Sequence, residues 1–241
     1  MRGLALGSAA TALALVAVPV LPASSSAAPR GYVRLSDERT KTWSAWVERP
    51  AWVRGSPRMS ARKKALLHTA TYHGSPELVV VLGKVTVAGR RWLYVRYSGL
   101  GDRRGWVPAV SLWIARRTDK RLVLDRSRFR LRLLRGRRVL FSTRIGVGAV
   151  GSPTPAGHYY IRERLGPFRN TNSVYGALAF GTSAYSPFRT DWPGGGQVGI
   201  HGTNQPYLIP GRISNGCVRL HNSAVRRLGR SLRVGTPLLI R

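Results

Sequence analysis

Between residues 43 and 113 short apolar runs alternate with clusters of turn residues. Ala65 to Thr71, Leu78 to Val87, Trp92 to Tyr97 and Gly105 to Pro108 are the runs. His73-Gly74-Ser75-Pro76, Ala88-Gly89 and Ser98 to Asp102 are the breaks. Short strands at this spacing predict a small β-barrel over residues 43–114. A second body is expected over 118–241. There Arg128 to Leu134 places Phe129, Leu131 and Leu133 on one face and arginines on the other, as in a half-buried strand. Leu122 to Asp125 and Val139 to Val147 read as its partners, with a turn at Gly136, and Val234 to Ile240 closes the chain as a further strand. Asn222 to Leu228 is the one helical stretch, capped by Asn222 or Ser223. The fold class is mainly β with a short helix.

The ends change the setting. Met1-Arg2, a mostly apolar run from Gly3 to Leu21 and the small residues of Pro22 to Ala28 have the layout of a secretory signal over residues 1–28. An uncleaved anchor is the alternative, because the run approaches the ~20 residues that span a bilayer. Either way the body is expected outside the cytoplasm, in the cell envelope or periplasm or secreted. Residues 29–42, polar and without periodicity, read as a linker.

Charge narrows the partners. Forty Lys and Arg stand against 9 Asp and Glu, a net +31 carried mostly by arginine. Such a field concentrates polyanions, and outside the membrane these are anionic cell-wall polymers and lipid headgroups. Nucleic acid is not expected as a partner of an exported chain.

Three chemistries are disfavoured. Gly146-Val147-Gly148-Ala149-Val150-Gly151 fits G-x-G-x-x-G, but that fingerprint must open a helix, and Ser152-Pro153-Thr154-Pro155 follows. The five histidines and single cysteine contain no pair at zinc-ligand spacing, so no metal and no cofactor is expected. From residue 118 onward only Asp119, Asp125, Glu163 and Asp191 are available for paired-carboxylate work, and nothing in the pattern joins two of them.

One site remains. Cys217 is the sole cysteine, so no intramolecular disulfide is available to it, and His201 lies upstream with glycines beside both. A thiol with a histidine base is the minimum for nucleophilic catalysis. A neighbouring imidazolium and the arginines, Arg219 among them, are expected to depress the thiol pKa. Gly216 leaves room for a carbonyl to approach, and the amides of Asn215, Gly216 and Cys217 are candidates for an oxyanion hole.

Val147-Gly148, Ser152 to Ile161, Gly199-Ile200-His201-Gly202-Thr203-Asn204, Ser214-Asn215-Gly216-Cys217-Val218-Arg219-Leu220 and Gly235-Thr236-Pro237 resemble, in that order, the L,D-transpeptidase (YkuD-like) catalytic domain. Asn215 stands where many members carry a second histidine. The resemblance implies a β-sandwich or barrel in which Cys217 attacks a peptidoglycan tetrapeptide stem at the bond to D-alanine. His201 moves the proton, its tautomer fixed by the carbonyl of Gly202. Thr203, Ser214 and Arg219 line or brace the site, and Tyr175 to Gly196 is either a substrate lid or an ordinary long loop. An amine resolving the thioester gives an L,D cross-link; water gives a carboxypeptidase; a degenerate domain would leave a non-catalytic wall-binding protein. Arg91 to Val95 followed by Gly105-Trp106-Val107-Pro108 resembles the end of a bacterial SH3-like domain, with Trp92 and Trp106 either in its core or on a ligand shelf.

Overall fold

The computed structural model describes residues 28–188 and 194–241. The proposed leader, apart from Ala28, lies outside the described residues, as do residues 189–193 of the candidate lid.

Eight strands form a front sheet: β1 (Val33–Arg34), β2 (Thr42–Val47), β3 (Ala51–Arg54), β4 (Lys63–Leu67), β5 (Leu78–Val87), β6 (Arg90–Tyr97), β7 (Arg103–Pro108) and β8 (Leu112–Thr118). Their order is β4-β3-β7-β6-β5-β2-β8, with β1 beside β5. Ala88 and Gly89, both at positive φ (46° and 72°), make the two-residue turn between β5 and β6, the turn whose twist suits a hairpin. The run from Ala65 stops short of Thr71 because Thr71 to Ser75 closes a turn of its own, with Thr71 N donating to Ser75 O.

One expectation is corrected here and one open alternative is decided. Residues 29–42 are not a free linker: β1 pairs with β5, and the Ser36 hydroxyl donates to Val81 O while accepting from Trp43 N. Polar side chains hold this stretch, which is why no apolar period marked it. Trp92 and Trp106 form no shelf; they are 1% and 6% exposed and pack with Val85, Tyr32 and Tyr94.

The second sheet contains β9 (Lys120–Asp125), β10 (Arg130–Arg135), β11 (Arg138–Arg144), β12 (Gly146–Gly148), β13 (Gly157–Leu165), β14 (Ala179–Tyr185), β15 (Gln197–His201), β16 (Gly211–Ser214), β17 (Val218–Arg219) and β18 (Pro237–Ile240). Their order is β11-β10-β9-β18-β13-β14-β15-β17-β12-β16. Leu131 and Leu133 are fully buried, as the alternation predicts, and Phe129 packs against the same core at a positive φ. The single strand expected over Val139 to Val147 is two: β11 pairs with β10, whereas β12 leaves to join β16 and β17 at the far end of the sheet. No helix follows Gly146 to Gly151. β14 sits inside the sheet, which leaves residues 175–178, 186–188 and 194–196, among the described residues of the candidate lid, to border a site.

The helix α1 (Asn222–Gly229) buries Val225 and Leu228 against this core. Its N-cap is His221, with no side-chain cap bond. Asn222 is occupied elsewhere, as described below.

Strand β5 joins the two sheets. Period-2 alternation turns Val79 and Val81 into the front core and Leu78, Val80 and Leu82 onto Tyr160 of β13. Burial on both faces explains why β5 reads as a continuous apolar run. Polar groups buried at this boundary are paired: Tyr160 donates to Leu78 O at 2.8 Å, Arg162 grips the carboxylate of Glu77, and Arg96 holds Glu38 and Asp102 while donating to His158 O. Buried charges persist when so compensated.

Candidate active site

Strands β15 and β17 run parallel, with Ile200 opposite Val218 and His201 opposite Arg219. Val198 and Ile200 enter the core, so alternation turns Gln197, Gly199 and His201 to the other face. Cys217 stands one residue before β17, on a turn that requires glycine: Gly216 has φ +112°. Thr154 fixes that turn, donating to Gly216 O at 2.8 Å and accepting from Gly148 N. A Cβ on Gly148 would lie 2.3 Å from Ser152 O, so this glycine of the rejected G-x-G-x-x-G match lets the loop close against the cysteine turn.

The thiol and the imidazole meet at one pocket, which Tyr175, Ser186, Ser214, Asn215 and Arg219 also line. A Cβ placed on Gly199 would lie 3.5 Å from His201 Cδ2 and 3.7 Å from Cys217 Sγ. His201 is buried, and its Nδ1 lies 2.6 Å from Gly202 O. A carbonyl only accepts, so Nδ1 carries the hydrogen and Nε2 is left as a base. The ring of Tyr175 meets His201 edge-on at 5.3 Å.

The electrostatics reverse one expectation. Burial pushes the Cys217 thiol up, although the Gly199 amide donates to Sγ at 3.3 Å and Arg219 adds positive charge. Burial also brings His201 down to about 4, with Arg219 acting in the same direction. Desolvation disfavours both charged forms, which works against a preformed thiolate–imidazolium pair.

A family model, YkuD, the L,D-transpeptidase catalytic domain, matches residues 119–240. The chain belongs to that family. Over 103 residues it is 34% identical to YkuD of Bacillus subtilis strain 168, covering 43% of this chain and 54% of that protein. Over 109 residues it is 33% identical to ErfK/SrfK of Escherichia coli K12, covering 40% of this chain and 35% of that protein. The chain thus spans about half the length, or less, of these relatives. Among solved structures, the catalytic domain of the E. faecium L,D-transpeptidase aligns over 51% of this chain and 97% of its own, at 24% identity and a TM-score of 0.37.

In this YkuD-family chain the remaining site residues divide by what they touch. Cys217, His201, Ser214, Asn215 and Arg219 border the pocket; Thr203 does not. Thr203 is 1% exposed, and its hydroxyl accepts from Gln205 N, so it braces the loop after β15. Ser214 donates to Cys217 O and accepts from Gly216 N at 3.3 Å. This withdraws the Gly216 amide from the expected oxyanion set and leaves those of Asn215 and Cys217. Arg219 donates to Gln205 Oε1, while its Nε is buried without a partner among the described residues.

Several residues of the site carry no sequence signal of their own. Asn222 accepts from Ala177 N and Thr203 N and donates to Thr171 O and Thr203 O, tying the His201-Gly202-Thr203 turn to the segment bearing Tyr175. Gln197, at the pocket wall, bonds Glu163, which also accepts from Thr71 of the front sheet at 2.8 Å. Gly181 lies between them; a Cβ there would come within 2.7 Å of both side chains.

Proposed function

We propose that the protein is a cysteine L,D-transpeptidase that cross-links peptidoglycan stems outside the cytoplasm. The observation that carries this is the convergence of the Cys217 thiol and the His201 imidazole on one pocket, with Nδ1 anchored on Gly202 O so that Nε2 is the nitrogen left to act as base. His201 takes the thiol proton as Sγ attacks the carbonyl between the third stem residue and D-alanine. The oxyanion is held by the Asn215 and Cys217 amides, and Arg219 supplies positive charge at the wall. Collapse breaks the C–N bond, D-alanine leaves with the proton from Nε2, and a thioester remains. The amine of a second stem attacks that thioester, its proton passes through His201, and Sγ is released. Acting as a base from the neutral state, His201 needs no acidic third member, because a backbone carbonyl orients it.

In this reading residues 1–28 export the chain, and the front sheet is an SH3-like module that keeps the enzyme at the wall. Water as the acceptor would make the same site an L,D-carboxypeptidase. A defined tetrapeptide stem, with and without an acceptor amine, is the test. Mass analysis should show D-alanine released and a cross-linked dimer formed only with the amine, and neither product with Cys217→Ala. Product from Cys217→Ala would overturn the mechanism, and free tripeptide alone would assign the carboxypeptidase reading.

A further inference from the structure

The outer face of the second sheet carries a feature that the acyl-transfer site does not use. Register places Arg132 opposite Val123, Val123 opposite Leu239 and Leu239 opposite His158, one row across β10, β9, β18 and β13. The neighbours in sequence, Leu122, Leu131, Leu133, Leu238 and Tyr159, point into the core. Alternation therefore forces this row outward, and Arg121 joins it two residues before Val123. The front sheet supplies the facing wall: Arg34 and the turn containing Asp37, Glu38 and Arg39 stand across from the row and enclose a cleft of about 700 Å³.

Charge in this cleft is one-sided. Its two carboxylates are already engaged. Asp37 accepts the amides of Arg39, Thr40 and Lys41 and the hydroxyl of Thr40, and Glu38 is held by Arg96. Arg104 is engaged by Asp102, and Arg241 by Asp125. Arg34, Arg39, Arg121 and Arg132 have no carboxylate within 4 Å among the described residues, and the Nε of Arg132 is buried without a partner. The chain has 9 acidic residues in all, too few to neutralise these arginines from within. A row over four strands covers roughly 14 Å at the usual strand spacing, too long for one small anion to touch both ends. The cations without a carboxylate partner are all arginine, whose planar fork matches phosphate and carboxylate oxygens two at a time.

We propose that this cleft between the two sheets binds a linear polyanion bearing repeated phosphate or carboxylate groups, as a second site separate from the cysteine pocket. Val123, Leu134 and Leu239 form an apolar floor under the polymer backbone, and arginines on both walls take its charges.

The test uses the full chain and two probes, inorganic polyphosphate and poly-glutamate of matched charge, with binding followed by titration calorimetry over a salt series. Arg121→Glu/Arg132→Glu and, on the facing wall, Arg34→Glu/Arg39→Glu should each weaken binding about tenfold and flatten the salt dependence. Arg90→Glu/Arg137→Glu makes the same change of charge on hairpin turns away from the cleft and should cost less than about twofold. The better-bound probe identifies the anionic group. The two walls are changed separately so that a folding defect in one variant leaves the other to decide, and thermal unfolding checks both. Equal weakening by the hairpin variant would overturn the site in favour of diffuse charge. So would wild-type binding by both cleft variants, no binding of either probe, or a cleft-dependent response only to vesicles of anionic phospholipid.

Discussion

His73, in the turn between β4 and β5, and Glu163 of β13 share a hydrogen bond of 3.2 Å across the boundary between the two sheets. Glu163 is 1% exposed, and the bonds from Thr71, Gln197 and His73 hold its carboxyl below the usual range against the opposing effect of burial. Because Gln197 lines the pocket, the front sheet helps to fix the pocket wall. Removing both front-sheet donors with Thr71→Val/His73→Leu is expected to destabilise the protein by about 2 kcal/mol, the cost of an under-satisfied buried acceptor. Urea unfolding measures this, and Thr71→Ser should stay near wild type. An unchanged midpoint in the double variant would show that the network carries no stability.

Gly199 sets the space between the Cys217 thiol and the His201 imidazole. A methyl there makes ordinary contacts with both His201 and Cys217, so Gly199→Ala should fold normally and keep partial activity. Gly199→Val suits a strand but adds branches where thiol and imidazole must meet, and displacements near 1 Å cost about 100-fold in rate. Full turnover by the valine variant would contradict this arrangement.

The acid side of the pH profile follows from His201. Its folded pKa of about 4 lies below the unfolded value near 6.5. Between those values the unfolded chain binds a proton that the native state does not, so stability falls as pH drops through this window, by about 3 kcal/mol at most. His201→Gln should remove this part of the acid sensitivity in unfolding measured from pH 7 to 4. Activity of the wild type should persist below pH 6, because the base stays neutral there. Alkylation of Cys217 should titrate above the range of an ordinary thiol, since burial raises it. A thiol titrating below 7 would favour the ion pair that the sequence first suggested.

Asn222 is the main brace beneath the histidine. Asn222→Ala deprives the Ala177 and Thr203 amides of their acceptor and the Thr171 and Thr203 carbonyls of their donor. The expected loss is about 2 to 4 kcal/mol, read by thermal or urea unfolding. Asn222→Asp keeps the acceptor and should fall between. A neutral alanine variant would mean that water replaces all four bonds at no cost.

The residues that meet at the pocket, Cys217 and His201, were legible from sequence because each lies in a short local motif, His201-Gly202-Thr203 and Ser214 to Arg219. Strands with one buried face were legible too, as Leu131 and Leu133 show. What could not be read depends on contacts distant in sequence. Asn222 looks like a helix cap until the turn at residues 202–203 is placed against it. Residues 29–42 look like a tether until Ser36 and Glu38 meet Val81 and Arg96. The thiol was expected to be acidified by a neighbouring imidazolium and the arginines, but desolvation of Cys217, a property of the packed fold, acts the other way.

Strand β5 has both of its faces covered, one by the front core and the other by Tyr160 and its neighbours. Swinging the two sheets apart would bring Leu78, Val80 and Leu82 into water together with the Glu77–Arg162 pair. The front sheet is therefore a rigid arm rather than a module on a leash, and any molecule docked on it would stand at a set distance from the Cys217 sulfur, as a jig fixes its work.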